Sequence, residues 1–267
     1  MADINLALSD QEKIQKLHRM FIGMSCFSAR LNLEFTGSGL RCCGMDNCKV
    51  CMFELILGNE WFDEFVFRAE DQDVVSISLP VIVINNVLQI HSKGQKLIME
   101  LSDEPSSVDI TLGESDEACQ KVFSIPLFDP VDLSPSFPDF DCDAEMCLAS
   151  SSWSGLVKEF DSFGSELSIS IAEDVLSLKS GGELGDMKTE LKIGDEQSEK
   201  VFGLLSYSAV EDAGLEARFA TKYLKIACRF ETLSDEVTIK MQVDTPMSLV
   251  YDIGKSSHMS VLIAPRL

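Results

Sequence analysis

A chain of 267 residues with 45% hydrophobic side chains can bury one large core or two of ordinary size, and its composition shows no sign of extended disorder. Its 22 lysines and arginines against 44 aspartates and glutamates leave a formal charge of −22, which repels nucleic acid over most of the surface and confines any DNA contact to a local basic patch. No basic segment followed by an apolar run opens the sequence, and the longest apolar stretch, 74–90, is broken by Ser76, Ser78, Pro80, Asn85 and Asn86, so neither a secretory leader nor a membrane span is expected. Nine cysteines, an odd number, point to reduced thiols inside a cell.

In chain order, Asp10 is placed to cap a helix over about 12–27, with Ile14, Leu17, Phe21 and Met24 on one buried face and Lys13, Lys16 and Arg19 on or near the other. Such cations are either an ordinary solvated face or part of a binding site. Strand-like runs follow at 30–35, 39–44, 49–57 and 64–69, joined by turns bearing Gly, Asn and Asp, the pattern of an antiparallel sheet. After Pro80 a second helix is expected over 81–93, stopping near Gly94, with strands at 96–101 and 108–112. Between 113 and 140, four prolines among acids and isolated hydrophobes read as an extended linker on which Phe128, Leu133 and Phe137 offer apolar anchors.

The order then restarts: a strand at 141–148, a helix at 152–163, strands at 166–172, 175–180 and 187–193, a run at 201–208, and strands at 237–243, 248–253 and 261–267. Between them lies 217–229, ARFATKYLKIACR, where Arg218, Lys222, Lys225 and Arg229 recur at steps of four, three and four. That spacing predicts one cationic helix face, with Phe219, Tyr223, Leu224, Ile226 and Ala227 turned to the core. Four cations with no acid among thirteen residues of so acidic a chain call for a polyanion. Residues echo between the halves as well, 35–44 against 171–181 and 97–108 against 238–249. The reading is an α+β protein of two similar domains, 1–112 and 141–267, joined by a linker at 113–140.

Gly181-Gly-Glu-Leu-Gly185, Tyr223-Leu224, Leu233-Ser234 followed by Val237-Thr-Ile, Asp244-Thr-Pro246, Leu249-Val-Tyr-Asp-Ile253 and Ala264-Pro265-Arg266 carry a resemblance to the DNA sliding clamps of the proliferating cell nuclear antigen type. Ser38-Gly39-Leu40, Met45-Asp46 and Val50 extend it into the first half.

The resemblance implies a processivity fold: a ring of three subunits, sheets outside, helices lining a hole that takes duplex DNA without reading its bases. Lys222, Arg229, Arg19 and Lys158 stand at the family's cationic positions; Lys225, Arg218, Lys13 and Lys16 add to them, and His18 matches a further one. The helix at 81–93 departs from the family in offering mostly Asn85, Asn86 and Gln89. Met45, Val50, Leu133, Pro135, Pro246, Ala264 and Pro265 match or lie near the pocket that takes a short peptide from polymerases and other partners, and 107–112 and 174–180 match the edges that close the ring. A clamp loader, a homotrimer and a nuclear or viral replication site are implied in turn. The alternative on the same fold is a subunit of a heterotrimeric DNA-damage checkpoint clamp.

Cys42, Cys43, Cys48 and Cys51 have the ligand count of a zinc site, but they alternate with apolar residues in two strands and are read as buried thiols, with no metal or cofactor assigned. No phosphate-cradling Gly-x-x-x-x-Gly-Lys-Ser/Thr loop and no hydrolase-like setting for His18, His91 or His258 is present, so no catalytic residue is expected.

Overall fold

The computed structural model describes residues 2–69, 72–101, 106–113, 120–129, 137–138, 142–172, 175–183, 185–210 and 214–266. Strand β1 (Ala2–Leu8), which the sequence reading passed over, comes first, followed by helix α1 (Gln11–Met24). The Asp10 side chain accepts the Glu12 and Lys13 amides, meeting two donors that a helix start leaves without partners, and Ile14, Leu17, Met20, Phe21 and Met24 are buried. Strands β2 (Arg30–Thr36), β3 (Gly39–Met45), β4 (Cys51–Gly58), β5 (Glu64–Ala69) and β6 (Val75–Pro80) lead into α2 (Val81–Ile90). Gly39 opens β3 at φ 144°, where a Cβ would stand 2.1 Å from the Leu57 carbonyl oxygen. β7 (Leu97–Leu101), β8 (Ser107–Leu112) and β9 (Lys121–Pro126) complete the first half.

The second half contains β10 (Ala144–Ala149), α3 (Ser150–Asp161), β11 (Glu166–Ala172), β12 (Val175–Gly182), β13 (Gly185–Lys192), α4 (Glu196–Phe202), β14 (Leu204–Ala209), β15 (Leu215–Ala220), α5 (Thr221–Ala227), a 3-10 turn (Cys228–Phe230), β16 (Glu236–Met241), β17 (Met247–Gly254) and β18 (Ser257–Ile263). The chain divides into two compact units, one of Met1–Asn47, Phe53–Phe137 and Ile253–His258, the other of Cys48–Met52, Pro138–Asp252 and Met259–Leu267.

Strand order proves the duplication more firmly than residue identity does. β5-β1-β7-β8-β9 is repeated as β14-β10-β16-β17-β18, and β4-β3-β2-β6 as β13-β12-β11-β15, every strand number raised by nine. Registers agree as well: Asn32 lies between Cys43 and Ser78 as Ser168 lies between Lys179 and Arg218. In the pairing of β10 with β16, Val237 faces Leu148 as Leu97 faces Leu8, so the echo of 97–108 begins at Val237, one residue before the expected Thr238. A one-residue slip would turn each side chain to the wrong face of the sheet.

Four further expectations are corrected. Lys121–Pro126, inside the segment read as a linker, is a strand paired to β8; its proline sits at the strand's end, where no ladder bond is lost. The run at 201–208 divides between α4 and β14, at Gly203 with φ 71°. The helix expected over 81–93 ends at Ile90, leaving His91 and Lys93 outside it. Ser107–Leu112 and the strand from Val175 are interior, paired on both sides, so the edge strands are their neighbours β9 and β13.

Within each unit, paired helices cover an apolar sheet face: α1 packs with α2, and α3 packs with α5, β10, β11, β12 and β16. Leu167, Ile169 and Ile171 of β11 are buried beneath, while Glu166, Ser168 and Ser170 alternate onto the other face.

Candidate nucleic-acid interface

The basic stretch is not one helix. Leu215–Ala220 is extended and pairs with β11, and the chain turns helical only at Thr221. Alternation in β15 buries Leu215 and Phe219 and sends Arg218 to the sheet face opposite the helices. Helical spacing still holds for Lys222, Lys225 and Arg229, which are exposed while Tyr223, Leu224, Ala227 and Cys228 are buried. Three of the four expected cations therefore share a surface. Arg218 belongs elsewhere.

Ion pairing sorts the helix cations further. Lys225 Nζ donates to Asp161 Oδ2 at 2.6 Å, and Thr221 Oγ1 donates to Oδ1 at 2.7 Å. The Lys225 hydrogen bond, then that of Thr221, hold the Asp161 carboxyl below its ordinary range. Lys158 pairs with Glu231 at 3.7 Å, Lys16 with Glu12 at 3.1 Å one turn back, and Lys13 with Asp63 at 3.1 Å. Arg19, Lys222 and Arg229 are exposed and hold no ion pair among the described residues. Lys222 lies over the Tyr223 ring, its Nζ 4.4 Å from the centroid, which steadies the side chain without neutralising it. Partial burial lowers the His18 pKa, so this imidazole is uncharged near neutral pH.

Two of these partners lie far off in sequence, Asp161 64 residues from Lys225 and Asp63 50 from Lys13. No local pattern announces a pair at that separation. Exposed ammonium and guanidinium groups without an ion pair among the described residues nonetheless suit a phosphate backbone, Lys222 on α5 and Arg229 on the 3-10 turn that follows it.

Of the residues assigned to a partner pocket, Met45 ends β3, and Val50, Pro246, Ala264 and Pro265 are half-buried loop residues rather than core. The Ala264 amide donates to the Val50 carbonyl at 2.8 Å, bringing those two together. Pro246 follows a turn in which Asp244 takes φ 58°. Leu133 and Pro135 lie outside the described residues. Phe128, one of the expected apolar anchors, is tied down: its amide donates to the Ser78 carbonyl at 2.8 Å and its ring lies 4.1 Å from the Arg30 guanidinium carbon. Cys42, Cys43 and Cys51 are buried, and Cys48 is exposed. Burial pushes the Cys43 thiol up to about 12. No helix among the described residues is long and apolar enough to cross a membrane.

Comparison with known proteins agrees with this geometry. Residues 13–135 match the N-terminal domain of proliferating cell nuclear antigen, and residues 136–266 match its C-terminal domain. Similar proteins include a probable DNA polymerase sliding clamp 2 of Paramecium bursaria Chlorella virus 1, 25% identical over 95% of this chain and 88% of the relative. DNA polymerase sliding clamp 2 of Sulfolobus acidocaldarius is 24% identical over 92% and 94% respectively, and proliferating cell nuclear antigen 2 of Plasmodium falciparum is 21% identical over 95% and 96%. With two half-chain matches spanning 13–266 and a duplicated α+β architecture, the chain belongs to the proliferating cell nuclear antigen family.

Proposed function

We propose that the chain is a DNA sliding clamp that closes with two further copies into a ring around duplex DNA and tethers a DNA polymerase there without catalysing a reaction. The observation that carries this reading is the placement of Arg19 on α1, Lys222 on α5 and Arg229 on the turn after it, exposed and without an ion pair among the described residues, in a chain whose net charge is −22. Sequence-independent phosphate contact is what such a surface supports, and with no base register to break the ring is free to slide.

Ring closure uses β9 of one copy against β13 of the next. Both are outer strands with free backbone groups, and a head-to-tail pairing of identical chains buries both edges at once. Met45, Val50, Pro246, Ala264 and Pro265 supply apolar contacts for a short peptide of the polymerase and other partners, whose basic flanks suit an acidic surface. A clamp loader opens the ring, and the site of action is the nucleus or a viral replication site.

The relatives' names speak for a polymerase clamp over a checkpoint-clamp subunit. Sedimentation of the purified chain tests the difference. A trimer of the single chain is expected, and a monomer that assembles only with two other chains overturns the homotrimer.

A further inference from the structure

Arg218, displaced from the helix surface, is part of a second basic feature. Lys188 of β13 faces Lys179 of β12, Lys179 faces Ser168 of β11, and Ser168 faces Arg218 of β15, so one straight row across four strands carries three cations and a hydroxyl. The row lies on the sheet face opposite α3 and α5, with Lys188, Lys179 and Arg218 exposed. Like charges directly opposite each other destabilise a sheet, and Lys179 and Lys188 are directly opposite. The duplication supplies an internal control: Cys43, Asn32 and Ser78 occupy the positions of Lys179, Ser168 and Arg218, and none is charged. The fold therefore does not require the row.

Its surroundings define what would bind. On the same face one row away, about 7 Å along the strands, stand Asp186 and Glu166 on one side and Glu190 and Glu216 on the other. Glu190 pairs with Lys188, and Glu166 is held by Arg266, which leaves Lys179 and Arg218 without an ion pair among the described residues. Over Ser168 and Gly181 lies a cavity of about 420 Å³ that Lys179, Lys188 and Arg218 line together with Glu166 and Asp186, the Asp186 carboxylate leaning over Gly181. A long polyanion such as nucleic acid or an acidic peptide would cross carboxylates if laid along the strands, and would run off the row within four strands, about 14 Å, if laid across them. A compact dianion would not.

We infer that this row is a binding site for a phosphate monoester carried on a side chain of a partner protein, held by the Arg218 guanidinium and the Lys179 ammonium with the Ser168 hydroxyl between them. Two unpaired cations match the charge of a phosphoryl group, and a guanidinium fork fits its oxygens. The edge pairing proposed for β13 uses backbone groups and leaves the Lys188 side chain on this face. The site does not depend on the ring or on DNA.

The test is titration of the isotope-labelled full chain by nuclear magnetic resonance with N-acetyl-phosphoserine amide, N-acetyl-glutamate amide and inorganic phosphate. Expected are saturable shifts at Ser168, Lys179 and Arg218 with the phosphoserine probe, affinity at least about tenfold above the glutamate probe, and loss of those shifts in the Lys179→Gln, Arg218→Gln double variant. That variant should keep full stimulation of a polymerase on DNA. Equal binding of both amides, shifts that persist in the double variant, or lost polymerase stimulation would overturn the site. Inorganic phosphate binding as tightly as phosphoserine would overturn its assignment to a protein-borne group.

Discussion

Helices α2 and α5 occupy the same place in the two halves, each starting at the residue after its strand, yet they present opposite surfaces. Val81, Ile84, Val87 and Leu88 are buried as Thr221, Leu224, Ala227 and Cys228 are buried. On the outer side, Ile82 stands where α5 has Lys222, Asn85 where it has Lys225, and Gln89 where the following turn has Arg229. The neighbouring helices repeat the contrast: Ile22 of α1, 41% exposed, takes the place of Lys158 of α3, and Ile82 is 62% exposed. The buried side is set by the fold, which the duplication preserved. The exposed side is free to vary, and of α2 and α5 only α5 with its following turn has filled it with charge.

If phosphate contact is divided this way, substitutions in the two helices should not be equivalent. The largest effect belongs to Lys222→Ala with Arg229→Ala: DNA affinity at physiological salt should fall by more than tenfold, with oligomeric state unchanged, whereas Ile82→Ala with Gln89→Ala should leave binding nearly as it was. Transplanting the charge, with Ile82→Lys and Gln89→Arg, should raise affinity several-fold and steepen its dependence on salt, with no change in folding because both positions are solvent-facing.

A smaller effect separates free from paired cations. Lys225→Ala should cost less affinity than Lys222→Ala, because Asp161 already neutralises Lys225. Asp161→Asn should free Lys225 and tighten DNA binding, at a stability cost of no more than about 1 kcal/mol. Asp161 is held below its ordinary range, so the pair's contribution is fully present above the unfolded-state value and disappears as pH falls through the depressed one. Thermal melts of the two proteins should therefore converge in acid. The smallest effect is His18→Gln, expected to leave DNA binding unchanged at pH 7.5, since burial keeps that imidazole uncharged.

Most of the architecture was legible in the sequence because period and punctuation were strong where the elements are regular. The Asp10 cap and the 3-4 spacing of Ile14, Leu17 and Phe21 defined α1, and the turns around Gly37 and Gly39 defined the β2-β3 hairpin. What misled was local ambiguity that only tertiary pairing resolves. Arg218 fits a helical step of four from Lys222 as well as it fits a strand, and pairing with Ser168 decides for the strand. Val122 and Phe123 looked like linker hydrophobes because Pro126 lies close by, but a proline at the end of an edge strand is tolerated. With β9 missed, β8 was mistaken for the edge. Long-range partners such as Asp161 and Asp63 leave no trace in spacing, so the sequence overstated how many helix cations are free.

The most direct measurement is the salt dependence of duplex DNA binding, compared between the Lys222→Ala, Arg229→Ala protein and the Ile82→Ala, Gln89→Ala protein. The slope of log affinity against log salt should fall by about 0.9 for each phosphate contact removed in the first and stay at the wild-type value in the second. Equal slopes in all three proteins would contradict the assignment of DNA contact to α5 and its following turn in preference to α2.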